Sequence, residues 1–354
     1  LARLLNSVIK NGKIAIRANM DGRCAALVEG MLFGIQGDIS EEDFANFQKS
    51  GLVHLFSVSG FHIGFVILFG TVLARALCDS RRQELALVSL FILLYGFLSG
   101  WPQPLVRAAI MAWFALAAYY LGRSRDLLNA LYLAGIIILV KSPGSLFDIS
   151  FQFSFMATWG IVCLYPLWEN RFKPEKPWAK FILLSLSPQI AVLPLAAYYF
   201  SLISLISTLA NLLLVDLAGG AVILGFIGVF LAQLSPFFAG LFLLPAGLIT
   251  RLVMSGAGWL AGLPGSFLWT AKPGILAVAA GYLGIILVSV EIKTHPCVPR
   301  AGIICLLIFA ASLLVPGQYR DWGTFRAVFL DVGQGDCTLV KTASGFTILI
   351  DGGG

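Results

Sequence analysis

Three short strings in this 354-residue chain put polar side chains where their neighbours are apolar. The first, HLFSVSGFHIG, carries His54, Ser57, Ser59 and His62. The second places Arg107 just after Pro102 and Pro104, and the third places Asp148 and Gln152 at the head of another apolar run. An arginine gathered with hydroxyls, imidazoles and an amide can receive an anion, so these residues read as a polar vestibule with Arg107 as its cation. Arg107 and Asp148 both fall near the ends of apolar runs, where snorkelling or a mutual salt bridge satisfies the same pattern without a ligand. His54 and His62 have no third ligand close by, so they read as hydrogen-bonded side chains and no metal site is assigned. No catalytic group is assigned either.

Two further charges, Asp216 and Arg251, fall in the middle of long apolar segments, where an unpaired charge is costly. They are expected to pair with each other. Ser185, Ser187, Pro188 and Gln189 interrupt another apolar segment, as broken helices do beside a water-filled path. Gly60 and Gly64 form a G-x-x-x-G spacing that lets helices approach closely. The six cysteines are scattered without a C-x-x-C pair and read as small packing residues.

These side chains need apolar elements to hold them, and the composition says where those elements lie. Hydrophobic residues make up 58% of the chain and charged residues 12%, with a mean hydropathy of +0.89. So few charges cannot cover a water-soluble globule, and disordered, collagenous and disulfide-scaffold classes are excluded as well. Charge is dense only at the two ends, residues 1–50 and 317–354. A bilayer-crossing helix needs about 20 mostly apolar residues. The pattern predicts about ten spans: 54–78, 85–101, 104–121, 126–143, 149–168, 180–200, 202–232, 236–263, 273–290 and 301–316. The seventh is too long for one straight helix. Arg81, Arg82, Arg123, Arg125, Arg171, Lys173, Lys176, Lys293 and Arg300 lie in alternate loops, which makes those loops cytoplasmic. An even span count then leaves both polar ends extracytoplasmic, with the vestibule facing outward.

After the last span the period changes from helical to strand-like. Phe325–Val332, Cys337–Thr342 and Phe346–Asp351 read as three strands, the opening of an α/β or β-rich domain. Asp331, Asp336 and Asp351 stand at strand ends, where Asp serves as a turn residue as readily as a metal ligand. Leu1 in place of an initiator Met, with Gly352–Gly354 directly after a strand, reads as a fragment of a longer protein. The fold expected is a polytopic α-helical membrane protein: a polar segment at 1–50, a channel domain at 51–316 and a truncated extracytoplasmic domain at 317–354.

Several of these strings together resemble one family. GLVHLFSVSGFHIG, PLVRAAIMA, GRSRDLLNAL and SPGSLFDISFQFSFMATWGI are similar to the competence domain of ComEC-type DNA internalisation proteins. FLDVGQGDCTLVKT followed by ILIDGGG resembles the first strands of the metallo-β-lactamase-like domain that follows it in that family. The resemblance implies an inner-membrane channel that takes up single-stranded transforming DNA, working with a DNA receptor and a cytoplasmic ATP-dependent partner. His54, Ser59, Gly60, His62, Arg107, Asp148 and Gln152 fall in family motif positions. Asp331, Gln334, Asp336 and Asp351 match the start of the metallo-β-lactamase-like domain. The resemblance implies a divalent metal for that domain when complete; the family's H-x-H-x-D-H run is not in this sequence, so no cofactor and no nuclease activity are expected of this chain. A secondary transporter for a small solute or lipid, and a membrane-anchored metallo-β-lactamase-fold hydrolase, are the rival readings of the same features.

Overall fold

The computed structural model describes residues 2–35, 39–122, 126–294, 300–314, 325–330, 337–344 and 346–352. The chain begins with three helices, α1 (Ala2–Asn19), α2 (Gly22–Phe33) and α3 (Glu41–Ser50). Asp21 caps α2 by accepting from the Cys24 backbone N–H, and Ser40 caps α3 by accepting from that of Asp43. Every residue of α2 from Cys24 to Phe33 is buried. Within residues 1–50, α1, α2 and α3 all pack on the long helices described below. The apolar face of α1 and the apolar α2 leave them no other way to be covered.

A turn of 3₁₀ helix at Val53–Phe56 and an extended stretch lead into α4 (Gly60–Leu77). The first span thus starts at Gly60, six residues later than the apolar run suggested. Hairpin-like connections then join α5 (Arg81–Ser99), α6 (Gln103–Tyr120), α7 (Leu127–Lys141) and α8 (Ile149–Phe172). Ser80, Asp126 and Asp148 cap α5, α7 and α8, and Gly100 at φ +75° ends α5. Helix α9 (Pro177–Phe200) contains Pro188 and Pro194.

A strand of three residues, β1 (Leu202–Ser204), precedes α10 (Ser207–Leu231), so the overlong 202–232 segment resolves into a strand and one helix. Helix α11 (Pro236–Ala261) returns antiparallel to α10, and β2 (Phe267–Trp269) pairs antiparallel with β1. Helices α12 (Ile275–Thr294) and α13 (Arg300–Leu314) form a last hairpin. Strands β3 (Arg326–Leu330), β4 (Cys337–Lys341) and β5 (Thr347–Ile350) then make an antiparallel sheet in that order.

The main core joins α2, α4, α5, α10 and α11 through Leu27, Val28, Leu32, Val66, Ile92, Tyr95, Val222, Phe226 and Leu243. A smaller one joins Leu164 of α8, Ala191 of α9 and Ile285 of α12. Large apolar side chains also point outward along the spans, among them Leu68 and Val72 of α4 and Leu241, Leu248 and Leu252 of α11. An apolar exterior of this extent suits lipid and not water. Among the described residues six helices (α4, α5, α8, α9, α10 and α11) are long and apolar enough to cross a bilayer, while α7, Ile275–Val290 and α13 are shorter apolar helices. The chain is a helical membrane protein, with the expected count of ten supported as far as these six.

Helix α8 passes through a π turn at Gly160–Leu164 where it crosses α9. A β-carbon on Gly160 would lie 2.6 Å from the Ser187 carbonyl oxygen and 2.9 Å from Pro188 Cα, both backbone atoms that cannot step aside. Gly160→Val should therefore lower the unfolding free energy of the purified protein by about 1–3 kcal/mol. Thermal unfolding in lipid nanodiscs measures it; an unchanged midpoint would mean the two helices are not held this close.

Candidate functional site

The site is assembled by the N-terminal turns of α4 and α6 and the second turn of α8. At the start of α4 the Ser59 backbone N–H donates to His62 Nδ1 over 3.3 Å. An Nδ1 that accepts leaves the proton of the neutral ring on Nε2. His62 is 0% exposed, and its Nε2 has no partner. Gly60 lies against Arg107: a β-carbon there would collide with Nη2 of the guanidinium, so only glycine lets the cation rest on the helix backbone. Arg107, on α6, is 7% exposed. Its Nη1 donates to the Ser154 carbonyl of α8 at 2.8 Å, its guanidinium carbon stands 6.0 Å from the Phe155 ring centre, and its Nε has no partner.

One turn before Arg107 on the same face, Gln103 donates through Nε2 to Ser145 Oγ at 2.8 Å, and its Oε1 is left over. Ser59 Oγ is likewise buried without a partner. Four neighbouring residues thus each keep one unsatisfied polar atom in the interior: Ser59 Oγ, His62 Nε2, Gln103 Oε1 and Arg107 Nε. Native interiors leave few such atoms. Among the described residues Arg107 forms no ion pair, and the alternative salt bridge with Asp148 is not made. Asp148 is exposed and spent on its own helix, accepting from the Ser150 backbone N–H at 2.7 Å.

The other expected residues lie around this cluster and not in it. Gln152 accepts the Tyr199 hydroxyl at 2.9 Å and donates to the Leu146 carbonyl at 3.0 Å, tying α8 to α9. His54 sits exposed in the 3₁₀ turn. The expected Asp216–Arg251 pair is not formed: Arg251 Nη2 donates to Asp21 Oδ2 at 2.7 Å, and Asp216 is exposed without an ion pair among the described residues. The contacts between α10 and α11 run through small residues, Gly228 against Leu243 and Gly256 against Leu214, and both charges point away from that seam. The α1–α2 turn brings Asp21 to Arg251 instead. Asp331, Gln334 and Asp336 lie outside the described residues, while Asp351 is exposed at φ +58°, a conformation Asp tolerates. Among the described residues no three His, Cys, Asp or Glu side chains stand together as a metal site would require.

Sequence reasoning missed Gln103, although its spacing of four from Arg107 marks the same helix face. It also missed two carboxylates held at the base of the bundle. Glu29, 2% exposed, receives Arg17 through both oxygens at 2.7 and 3.1 Å, with Lys13 at 3.9 Å. Asp43 receives Arg23, with Nε at 2.9 Å from Oδ2, and the Ser40 hydroxyl at 2.7 Å. Those donors, Arg23 foremost, hold the Asp43 carboxyl below the usual carboxylate range. A depressed value stabilises the fold above the ordinary carboxylate pKa, and that contribution is lost as pH falls through the lowered one.

Comparison with known proteins supplies the family. A family model described as "Competence protein" matches residues 31–295. The chain belongs to the competence protein family. It is 26% identical over 336 residues to "ComE operon protein 3" of Bacillus subtilis, covering 93% of this chain and 42% of that one. It is 27% identical over 205 residues to "Uncharacterized protein MG316" of Mycoplasma genitalium, covering 56% of this chain and 52% of that one. Against "Recombination protein 2" of Haemophilus influenzae it is 26% identical over 208 residues, covering 54% of this chain and 26% of that one. The chain spans about half or less of the length of each of these relatives. No solved structure matches it.

The exposed Asp21–Arg251 ion pair can be assigned by a double-mutant cycle. Asp21→Asn and Arg251→Gln should each reduce thermal stability, and the double variant should lose less than the two losses together. Asp216→Asn combined with Arg251→Gln should be additive. Coupling in the second cycle and none in the first would reverse the assignment.

Proposed function

We propose that this chain is the membrane-conducting part of a DNA-uptake protein, passing single-stranded DNA across the bacterial inner membrane during natural transformation. The observation that carries it is Arg107, a buried guanidinium with no carboxylate partner among the described residues, beside three other unsatisfied polar atoms. Burying an uncompensated cation costs several kcal/mol or more in a dry site. A passing phosphate, which offers charge-assisted bonds to Nε and to His62 Nε2, offsets that cost when the helices part. Membership of the competence family and the likeness to the Bacillus relative support a role in transformation.

In this reading all ten apolar segments span the membrane and the basic loops put residues 317–354 outside the cytoplasm, while the start of α1, where Asn11 meets Gln233 in the α10–α11 loop, lies on the cytoplasmic side and not on the outer side expected for residues 1–50. Strands β3–β5 begin a metallo-β-lactamase-like domain, in which Asp331, Gln334, Asp336 and Asp351 take the family's positions and a divalent metal belongs to the complete domain. A receptor delivers DNA from outside, and an ATP-dependent partner pulls from the cytoplasm, since this chain carries no nucleotide-binding loop.

The test replaces Arg107 in the full-length protein, in a transformable host lacking its own copy. Losing a charged hydrogen bond to the passing strand, about 1.5–3 kcal/mol, predicts that Arg107→Ala lowers labelled-DNA uptake by about tenfold or more per molecule in the membrane. Arg107→Lys keeps the charge without the planar fork and should retain part of the uptake. Gly60→Ala, which pushes the guanidinium off the α4 backbone without removing its charge, should also reduce uptake. Normal uptake by well-expressed Arg107→Ala would refute the role. A fall in membrane abundance that matches the fall in uptake would make Arg107 a structural residue instead.

A further inference from the structure

Helix α11 carries one exposed apolar stripe, Phe237, Leu241, Leu244, Leu248 and Leu252, at spacings of three and four residues. The stripe runs for about 22 Å at 1.5 Å per residue. Beyond Leu252 the same face changes to Ser255 and Trp259, both exposed, the indole by 65%. A helix face that passes from leucines to a serine and an exposed tryptophan marks the step from hydrocarbon to the headgroup layer. Arg251 stands at that step, toward the end of α11 away from the α10–α11 loop.

Two clefts meet there. The first, of about 640 Å³, is polar: Arg23, Glu42, Asn46, Ser255 and Trp259 line it together with the Asp21–Arg251 pair. The second, of about 350 Å³, lies nearer the α10–α11 loop and is largely apolar, lined by Met20, Leu244, Gly247 and Leu248 with the same pair. Because Asp21 and Arg251 belong to both, the clefts form one groove with a polar and an apolar end. Arg251 spends Nη2 on Asp21 at 2.7 Å, and Arg23 turns Nε and Nη2 to Asp43. Each guanidinium keeps further N–H donors. The charges lining the polar end cancel, Arg23 and Arg251 against Asp21 and Glu42. A polyanion would meet as many carboxylates as guanidiniums there. A headgroup that carries its own ammonium beside a phosphate meets a partner for each.

We propose that this groove binds one zwitterionic aminophospholipid. Arg251 and Arg23 donate to its phosphate, Glu42 accepts from its ammonium, and Leu244 and Leu248 carry an acyl chain. The inference needs α11 to be a membrane span and does not rest on the DNA-uptake reading.

The full-length protein, purified in detergent and stripped of lipid, is titrated with phosphatidylethanolamine and, separately, with phosphatidylglycerol of the same acyl chains. Native mass spectrometry counts the lipids bound. One phosphatidylethanolamine per chain should bind about tenfold more tightly than phosphatidylglycerol, the difference expected of one charge-assisted hydrogen bond. Glu42→Gln changes an exposed side chain and should erase that preference while leaving the melting temperature of the lipid-free protein unchanged. Arg251→Gln should weaken binding of both lipids about tenfold or more; if it fails to fold for want of the pair with Asp21, Glu42→Gln alone decides. Equal binding of the two lipids, or a preference that Glu42→Gln leaves intact, overturns the proposal, because the lipid is then only the ordinary boundary layer. Glycerophosphoethanolamine and inorganic phosphate, which lack acyl chains, should bind about tenfold or more weakly than the lipid. Binding of either as tightly as the lipid overturns a phospholipid as the occupant. A dimer that takes up no lipid overturns it too, since a second copy then covers the groove.

Discussion

A guanidinium is squeezed between three helices with no counter-ion among the described residues, and much of this bundle is arranged to hold it. Arg107 requires a glycine on α4, a backbone carbonyl on α8 and a ring from the residue after that carbonyl. Each comes from the N-terminal part of a helix, so the starts of α4, α6 and α8 must lie side by side. The capping residues make those starts definite. Asp148 caps α8, the Ser59 backbone closes on His62 at α4, and Pro102 and Pro104 open α6.

That grouping was legible in the sequence because it depends on local features: apolar runs, a glycine before a histidine, prolines before an arginine. The spans α5, α8, α9 and α11 were legible for the same reason. The partner of Arg251 was not. A mid-span charge announces only that something must meet it, and Asp21 reaches it through a turn more than two hundred residues away in sequence. The start of α4 was misjudged because Val53–Phe56 is as apolar as a span, although backbone at Gly51, with φ +77°, turns it aside. Strand β1 was absorbed into its neighbour, since three residues are too few for a period to show.

The N-terminal helices show how charge can enter a membrane protein without being stranded. Glu29 and Asp43 are buried, and each receives an arginine through two nitrogens. Fork-to-carboxylate geometry fixes orientation as well as charge, which suits a segment wedged between longer helices. The desolvation cost of such pairs means that they specify the arrangement more than they stabilise it.

The small clasp of β1 and β2 joins distant parts of the chain. Its three residue pairs, extended by Leu205 and Ile206 N–H to the Ser266 carbonyl and by Thr270 N–H to the Ser201 carbonyl, bind the ends of α9 and α11 together with the starts of α10 and α12. Ala271 N–H then reaches the Leu313 carbonyl of α13. An isolated pair of three-residue strands has almost no stability of its own. Its amides resist deuterium only while the five helix ends stay in register, so their exchange rates gauge concerted breathing of the whole extremity of the bundle and not local fraying.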